Sequence, residues 1–144
     1  MSRIIEDDVK RALPHQRRFA KDLSNRYNCT FIDRDDFNHI DYDITRDGEI
    51  VAYAELKNRS HDYGTYDTLF IDESKLNALR DNAEVTGKPN FLFVRFNDSD
   101  YYYEVSSTER FHVAVGGRTK NYREPNDIDK VEFIPINKFT RSED

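Results

Sequence analysis

Acids placed to meet across a β-hairpin, with a Glu-x-Lys at its far end, are the chemistry-bearing residues of this 144-residue chain. Asp41 and Asp43 precede an Asp47-Gly48 turn, and Glu55-Leu56-Lys57 follows it. Two carboxylates converging on one point are costly unless a cation lies between them, and hard oxygen donors suit Mg²⁺ or Mn²⁺. The backbone carbonyl of Leu56 can add a third oxygen. Lys57, on the same strand face as Glu55, is placed to hold or deprotonate a water, or to neutralise a phosphate. A site of this kind is equipped to hydrolyse a phosphodiester bond.

The hairpin must position these groups. Asp-Gly between two alternating runs is a strong hairpin signal. Ile40, Tyr42 and Ile44 form one apolar face of the first strand, and Ile50, Ala52, Ala54 and Leu56 one of the second. A two-residue Asp47-Gly48 loop pairs Arg46 with Glu49 and sends the two apolar faces to opposite sides. A three-residue loop with a bulge at Gly48 pairs Thr45 with Glu49 and unites them, so a buried face selects the second register. Asp41 then lies opposite Tyr53 and diagonal to Glu55, roughly 7 Å away at the Cβ atoms. Asp43 lies opposite Val51, about 13 Å along the strand from the level of Glu55. Asp41 is the better partner for Glu55, and Asp43 the substitute or supporting acid.

The tripeptide alone carries little weight. Ten Glu and eight Lys make a chance Glu-x-Lys unsurprising, and Glu73-Ser74-Lys75 is another. Position decides, because the Glu73 copy opens a helix and has no acid-bearing strand across from it. The run Asp41 … Gly48 … Glu55-Leu56-Lys57-Asn58-Arg59 resembles the PD-(D/E)xK nuclease superfamily, most closely its small members. These include archaeal Holliday-junction resolvases, VRR-NUC domains and phage-encoded nucleases. The resemblance covers about residues 1–96 and implies a restriction-endonuclease-like core: helix, three-stranded meander, helix, strand. It implies that Asp41 (or Asp43) and Glu55 hold a divalent metal while Lys57 assists the water, and it would bring a first-helix acid, Glu6, toward the ion. Ile40 stands where the motif name has Pro, which leaves the choice between Asp41 and Asp43 open.

The remaining chain supplies the frame. Residues 3–27 have helical apolar spacing interrupted at Pro14, which predicts a kink or two pieces. Lys10, Arg11, Arg17, Arg18, Lys21 and Arg26 make this the most basic stretch, suited to phosphate contact. Residues 29–33 read as a strand, and 34–39 as a polar turn carrying His39 beside the site. The loop from Asn58 to Asp67 lies at the mouth of the site. Arg59 continues the Glu55/Lys57 face toward phosphate, and Tyr63 and Tyr66 are rings able to stack or to pack at the sheet edge. Thr68–Ile71 is a short extended stretch. Asp72 looks like the cap of a helix through Glu84, with Leu76, Leu79 and Ala83 inward and Gly87-Lys88-Pro89 as its stop. Lys75 opposes the dipole in that helix's first turn, which points to another role such as phosphate binding. Asn90–Phe96 is the most apolar strand, hence central. Further strands are expected around residues 101–105, 111–115 and 131–136, with a turn at Gly116-Gly117-Arg118 and a polar loop over 119–129 bearing Lys120 and Arg123. The tail from Thr140 is expected to fray.

Length and composition bound the answer to one domain over 1–144: a core over about 1–96, a β extension over about 97–139 and the tail. The expected fold class is α/β, a mixed, mostly antiparallel sheet flanked by helices with extra C-terminal strands. A single cysteine, Cys29, and four scattered histidines offer neither an internal disulfide nor a zinc pattern, so a reducing cytoplasm is expected (a host's, for a phage-encoded protein). No apolar run reaches membrane-spanning length. The net charge of −6 argues against a simple DNA-coating protein but not against an enzyme whose acids gather at a metal. The reading is a metal-dependent endo- or exonuclease acting on DNA, with RNA left open. Two-strand cutting would make a homodimer useful. The rival readings are a catalytically inactive nuclease-fold module that binds nucleic acid or a protein, and an acidic sheet face that is merely solvated.

Overall fold

The hairpin forms through a different turn from the one expected. Strand β2 (Tyr42–Arg46) and strand β3 (Glu49–Asn58) are antiparallel, and Arg46 pairs with Glu49 around a two-residue loop. Asp47 and Gly48 both have positive φ, 54° and 81°, as the primed turns favoured in tight hairpins require. The register then shifts: Thr45 pairs with Ile50 but Ile44 with Ala52, so Val51 is an extra residue on β3. That bulge restores the phase the tight turn alone would have lost. Tyr42, Ile44, Ala52, Ala54 and Leu56 therefore share one buried cluster, while Ile40 and Ile50 pack into the cluster on the other face. The expected pairings, Asp41 with Tyr53 and Asp43 with Val51, are corrected by two residues.

The computed structural model describes residues 3–34, 40–115 and 130–143, and side chains of the first helix from residue 14 onward. His39, the Gly116-Gly117-Arg118 turn, Lys120 and Arg123, and the side chains of Glu6, Lys10 and Arg11 lie outside the described residues.

Helix α1 (Arg3–Tyr27) runs through Pro14 as one element rather than two pieces. Its Phe19, Ala20 and Leu23 stripe meets Phe31 of β1 (Thr30–Asp33) and the Ala52/Ala54/Leu56 face of β3. The main sheet continues through β5 (Asn90–Arg95), parallel to β3, then β6 (Asp100–Glu104) and β9 (Thr140–Arg141), in the order β1-β2-β3-β5-β6-β9. Central β5 reads as expected, apolar and buried on both faces.

The opposite face of this sheet is also covered. Strands β4 (Thr68–Asp72), β7 (His112–Val115) and β8 (Lys130–Pro135) form a second sheet in the order β4-β8-β7. Helix α2 (Glu73–Thr86) begins directly after β4 and ends at Gly87, whose φ of 68° is the left-handed stop glycine tolerates. Leu69, Ile71, Leu76, Leu79 and Ile134 close over Tyr53, Leu92 and Val94. Arg80 of α2 and Glu132 of β8, both 1% exposed, meet through two hydrogen bonds of 2.5 and 2.6 Å. This pair ties to the second sheet the helix that carries Lys75.

The tail does not fray at Thr140. Thr140 and Arg141 pair with Tyr102 and Tyr101, and buried Ser142 is bonded to Arg26 and Tyr27. The whole is an α/β fold with a mixed, mostly antiparallel main sheet.

Candidate active site

Continuing the β2–β3 register one residue beyond the Tyr42–Ala54 pair puts Asp41 level with Glu55. Its backbone is held there from the other side, where the Arg34 amide donates to the Asp41 carbonyl at 2.9 Å. Glu55 is 1% exposed, because its strand face looks into the layer formed by α2 and the second sheet. Lys75, in the first turn of α2, spans the two acids, with Nζ 3.2 Å from Asp41 Oδ1 and 3.6 Å from Glu55 Oε1. Lys57 Nζ lies 3.2 Å from the same Glu55 oxygen. Glu55 Oε2 is buried and has no hydrogen-bond partner.

Leaving a carboxylate oxygen buried and unpaired is expensive. The cost shows in the proton affinity of Glu55, pushed up to about 8. Burial is the main cause, followed by the Asp41 carboxyl, to which a protonated Glu55 can donate and which repels an ionised one, while Lys57 and Lys75 oppose the shift. In contrast, Lys75 is raised: its two acidic neighbours outweigh its own burial.

A stability profile follows. The folded state holds the Glu55 proton above pH 4.5, where an unfolded chain has lost it, so folding binds more protons up to about pH 8. Stability of the metal-free protein should therefore fall as pH rises from 5 to 8, by a few kcal/mol from this group, and level off above. Thermal melts in EDTA across that range test it. A Tm contribution from Glu55 that rises toward pH 8, judged against Glu55→Gln, would contradict this assignment.

The donor set fits a hard divalent cation. Two carboxylates converge, one oxygen is left without a protein partner in a buried site, and an ammonium already bridges the pair. Among the described residues no three His, Cys, Asp or Glu side chains gather into one group. Further oxygens must then come from backbone, water or substrate. The Leu56 carbonyl accepts a long bond, 3.4 Å, from Gln16 Nε2, and Gln16 Oε1 accepts one from the Tyr42 hydroxyl at 3.3 Å. Gln16 was missed from sequence, although it stands three, four and seven residues before Phe19, Ala20 and Leu23 on the inward face of α1.

The other expected residues separate. Asp43 sits opposite Tyr53, and its Oδ1 lies 3.1 Å from Arg34 Nε. The structure thus brings Asp41, not Asp43, to Glu55. Arg59 donates to the Phe70 carbonyl at 2.9 Å and lies 5.5 Å over the Phe70 ring, and burial lowers its proton affinity. Arg17 and Arg18 are exposed on α1. Lys75, expected at phosphate, is in the acidic pair itself.

The family model described as "Phage putative PDDEXK endonuclease" matches residues 8–142. The chain belongs to this family. The match spans the hairpin, both helices' described cores and the C-terminal strands, well past the region of the sequence resemblance. No curated protein matches. Among solved structures the chain is similar to Archaeoglobus fulgidus Hjc, described as a Holliday junction resolvase from an archaeal hyperthermophile, with a TM-score of 0.49 and 18% identity over 66% of this chain and 76% of that one. Among the described residues no helix is long and apolar enough to cross a membrane.

Proposed function

We propose that in this metal-dependent DNA nuclease Asp41 and Glu55 together hold the divalent cation, Mg²⁺ or Mn²⁺, with the Leu56 carbonyl as a third oxygen. The observation that carries this reading is the buried, unpartnered Oε2 of Glu55 beside Asp41. Once bound, such an ion supplies positive charge that activates water and polarises a phosphoryl oxygen. Lys57 keeps its ammonium on Glu55 Oε1 and is the residue that orients the attacking water. Lys75 neutralises the acidic pair in the metal-free protein and offers its charge to a phosphate when the pair is neutralised otherwise. Arg17 and Arg18 contact the DNA backbone, which gives affinity without sequence information. Arg59, already held by Phe70, contributes charge at the rim. The chain works as one domain in the cytoplasm, and a symmetric dimer would present two such sites to two strands.

Melting the protein at pH 8 with increasing Mn²⁺ tests the metal assignment directly. Wild type should gain roughly 5–10 °C in Tm at a hundredfold excess over Kd. Glu55→Gln should gain almost nothing. Equal gains in the two proteins would remove Glu55 from the metal site.

A further inference from the structure

Beyond the acidic pair, the loop after β3 and the start of β4 enclose a recess of about 470 Å³. Its walls include Asn58, Arg59, His61, Tyr66, Phe70 and Phe133. It begins at Asn58, the last residue of the strand that carries Glu55 and Lys57, and Arg59 stands about 13 Å beyond Glu55 at 3.3 Å per residue. Tyr66 is 61% exposed and Phe70 53% exposed, large rings left in water beside a cation.

The loop that presents them is built rather than loose. The Arg59 amide donates to the Arg95 carbonyl at 2.9 Å, and the Asn97 amide to the His61 carbonyl at 3.0 Å. The Tyr63 amide donates to Asp98 Oδ1 at 2.9 Å, and the Tyr63 ring stacks on Tyr101 at 3.7 Å. At the far end the Ile136 amide donates to the Asp67 carbonyl at 2.8 Å. Within this frame the His61 ring meets Tyr66 edge-on at 4.9 Å. Tyr63 thus packs, as one of its two expected roles had it, whereas Tyr66 meets the His61 ring edge-on and stays 61% exposed.

We propose that this recess takes an unpaired nucleobase of the DNA substrate, stacked on Tyr66 beside Phe70, with Arg59, held over the Phe70 ring, meeting the adjoining phosphate. The inference rests on the nuclease reading for its substrate and deepens it. Exposed rings beside a fixed cation suit a flat, electron-rich base on a charged backbone, and base–aromatic stacking of this kind does not depend on sequence. A continuous duplex keeps its bases stacked on one another and has none to offer. The preferred substrate is therefore DNA with an unpaired stretch next to the cut, as in a flap, a fork or a single-stranded gap.

Binding of fluorescein-labelled single-stranded, forked and blunt duplex DNA, followed by anisotropy in EDTA at fixed salt, separates this from the catalytic claim. Wild type should prefer single-stranded and forked DNA. Tyr66→Ala and Phe70→Ala should each weaken those two by about tenfold, leave blunt duplex within about twofold, and Tyr66→Phe should bind as wild type. Unchanged affinity in Tyr66→Ala, or equal losses on all three DNAs, would overturn the proposal. Phe70 also packs near Phe133, 6.3 Å between rings, so Tyr66→Ala remains decisive if Phe70→Ala melts early. Parallel cleavage with Mn²⁺ judges the nuclease reading separately: a wild type that binds forks but cuts no DNA would sink that reading and leave the recess standing.

Discussion

Glu55→Gln is expected to lower DNA cleavage by on the order of 10³-fold while leaving the protein folded. The side chains are nearly isosteric, so the packing around this 1%-exposed group is kept. What is lost is the negative charge that Oε2 would present to a cation, together with the partner of Lys57 at 3.2 Å. A merely structural carboxylate would behave otherwise, since removing it would cost stability. Here the sign is opposite. Burial pushes the Glu55 proton affinity up to about 8, so at pH 8 the metal-free wild type carries a penalty that the amide avoids. Glu55→Gln should melt at the same temperature as wild type or higher in EDTA at pH 8. Activity lost together with a large fall in Tm would mean that Glu55 supports the fold rather than the chemistry.

The two hairpin acids should differ sharply. Asp41→Asn is expected to cut by 10²-fold or more below wild type, on the order of the loss of a metal ligand, and Asp43→Asn to stay within about threefold. Asp41 shares a level with Glu55 and an ammonium with it, at 3.2 and 3.6 Å from Lys75 Nζ. Asp43 stands level with Tyr53 and faces Arg34. Cleavage rates of the two variants at saturating Mn²⁺ decide the matter. Comparable losses in both would return Asp43 to the site, and a larger loss in Asp43→Asn would reverse the assignment.

The acids, the Glu-x-Lys and the hairpin that joins them were legible because their evidence is local: an Asp-Gly pair, alternation, and side-chain types. The register was not. Both loops weighed from sequence gave Asp41 a different level from the one observed, since nothing in the residue type of Val51 marks it as a bulge. That bulge places Asp41 beside Glu55 and moves Ile50 to the other face. Nor was the depth of the site visible. Alternation suggested one buried face and one acidic face in water, but β4 pairs with β8, far along the chain, and with α2 covers the acidic side. Lys75 looked misplaced in its helix because its partners, Asp41 and Glu55, become neighbours only through that layering. The tail was misjudged for a related reason: Ser142 is fixed by Arg26 and Tyr27 of α1, a contact no short window can contain.

In the proposed site this acidic pair and Lys57 make a metal-dependent phosphodiesterase. Cleavage of end-labelled forked, single-stranded and duplex DNA by wild type and Lys57→Met, with Mg²⁺, Mn²⁺ or EDTA, tests it most directly. Wild type should cut with Mg²⁺ or Mn²⁺ and not in EDTA, and a folded Lys57→Met protein should lose on the order of 10²-fold or more. Cutting that persists in EDTA, or a Lys57→Met protein as active as wild type, would contradict it.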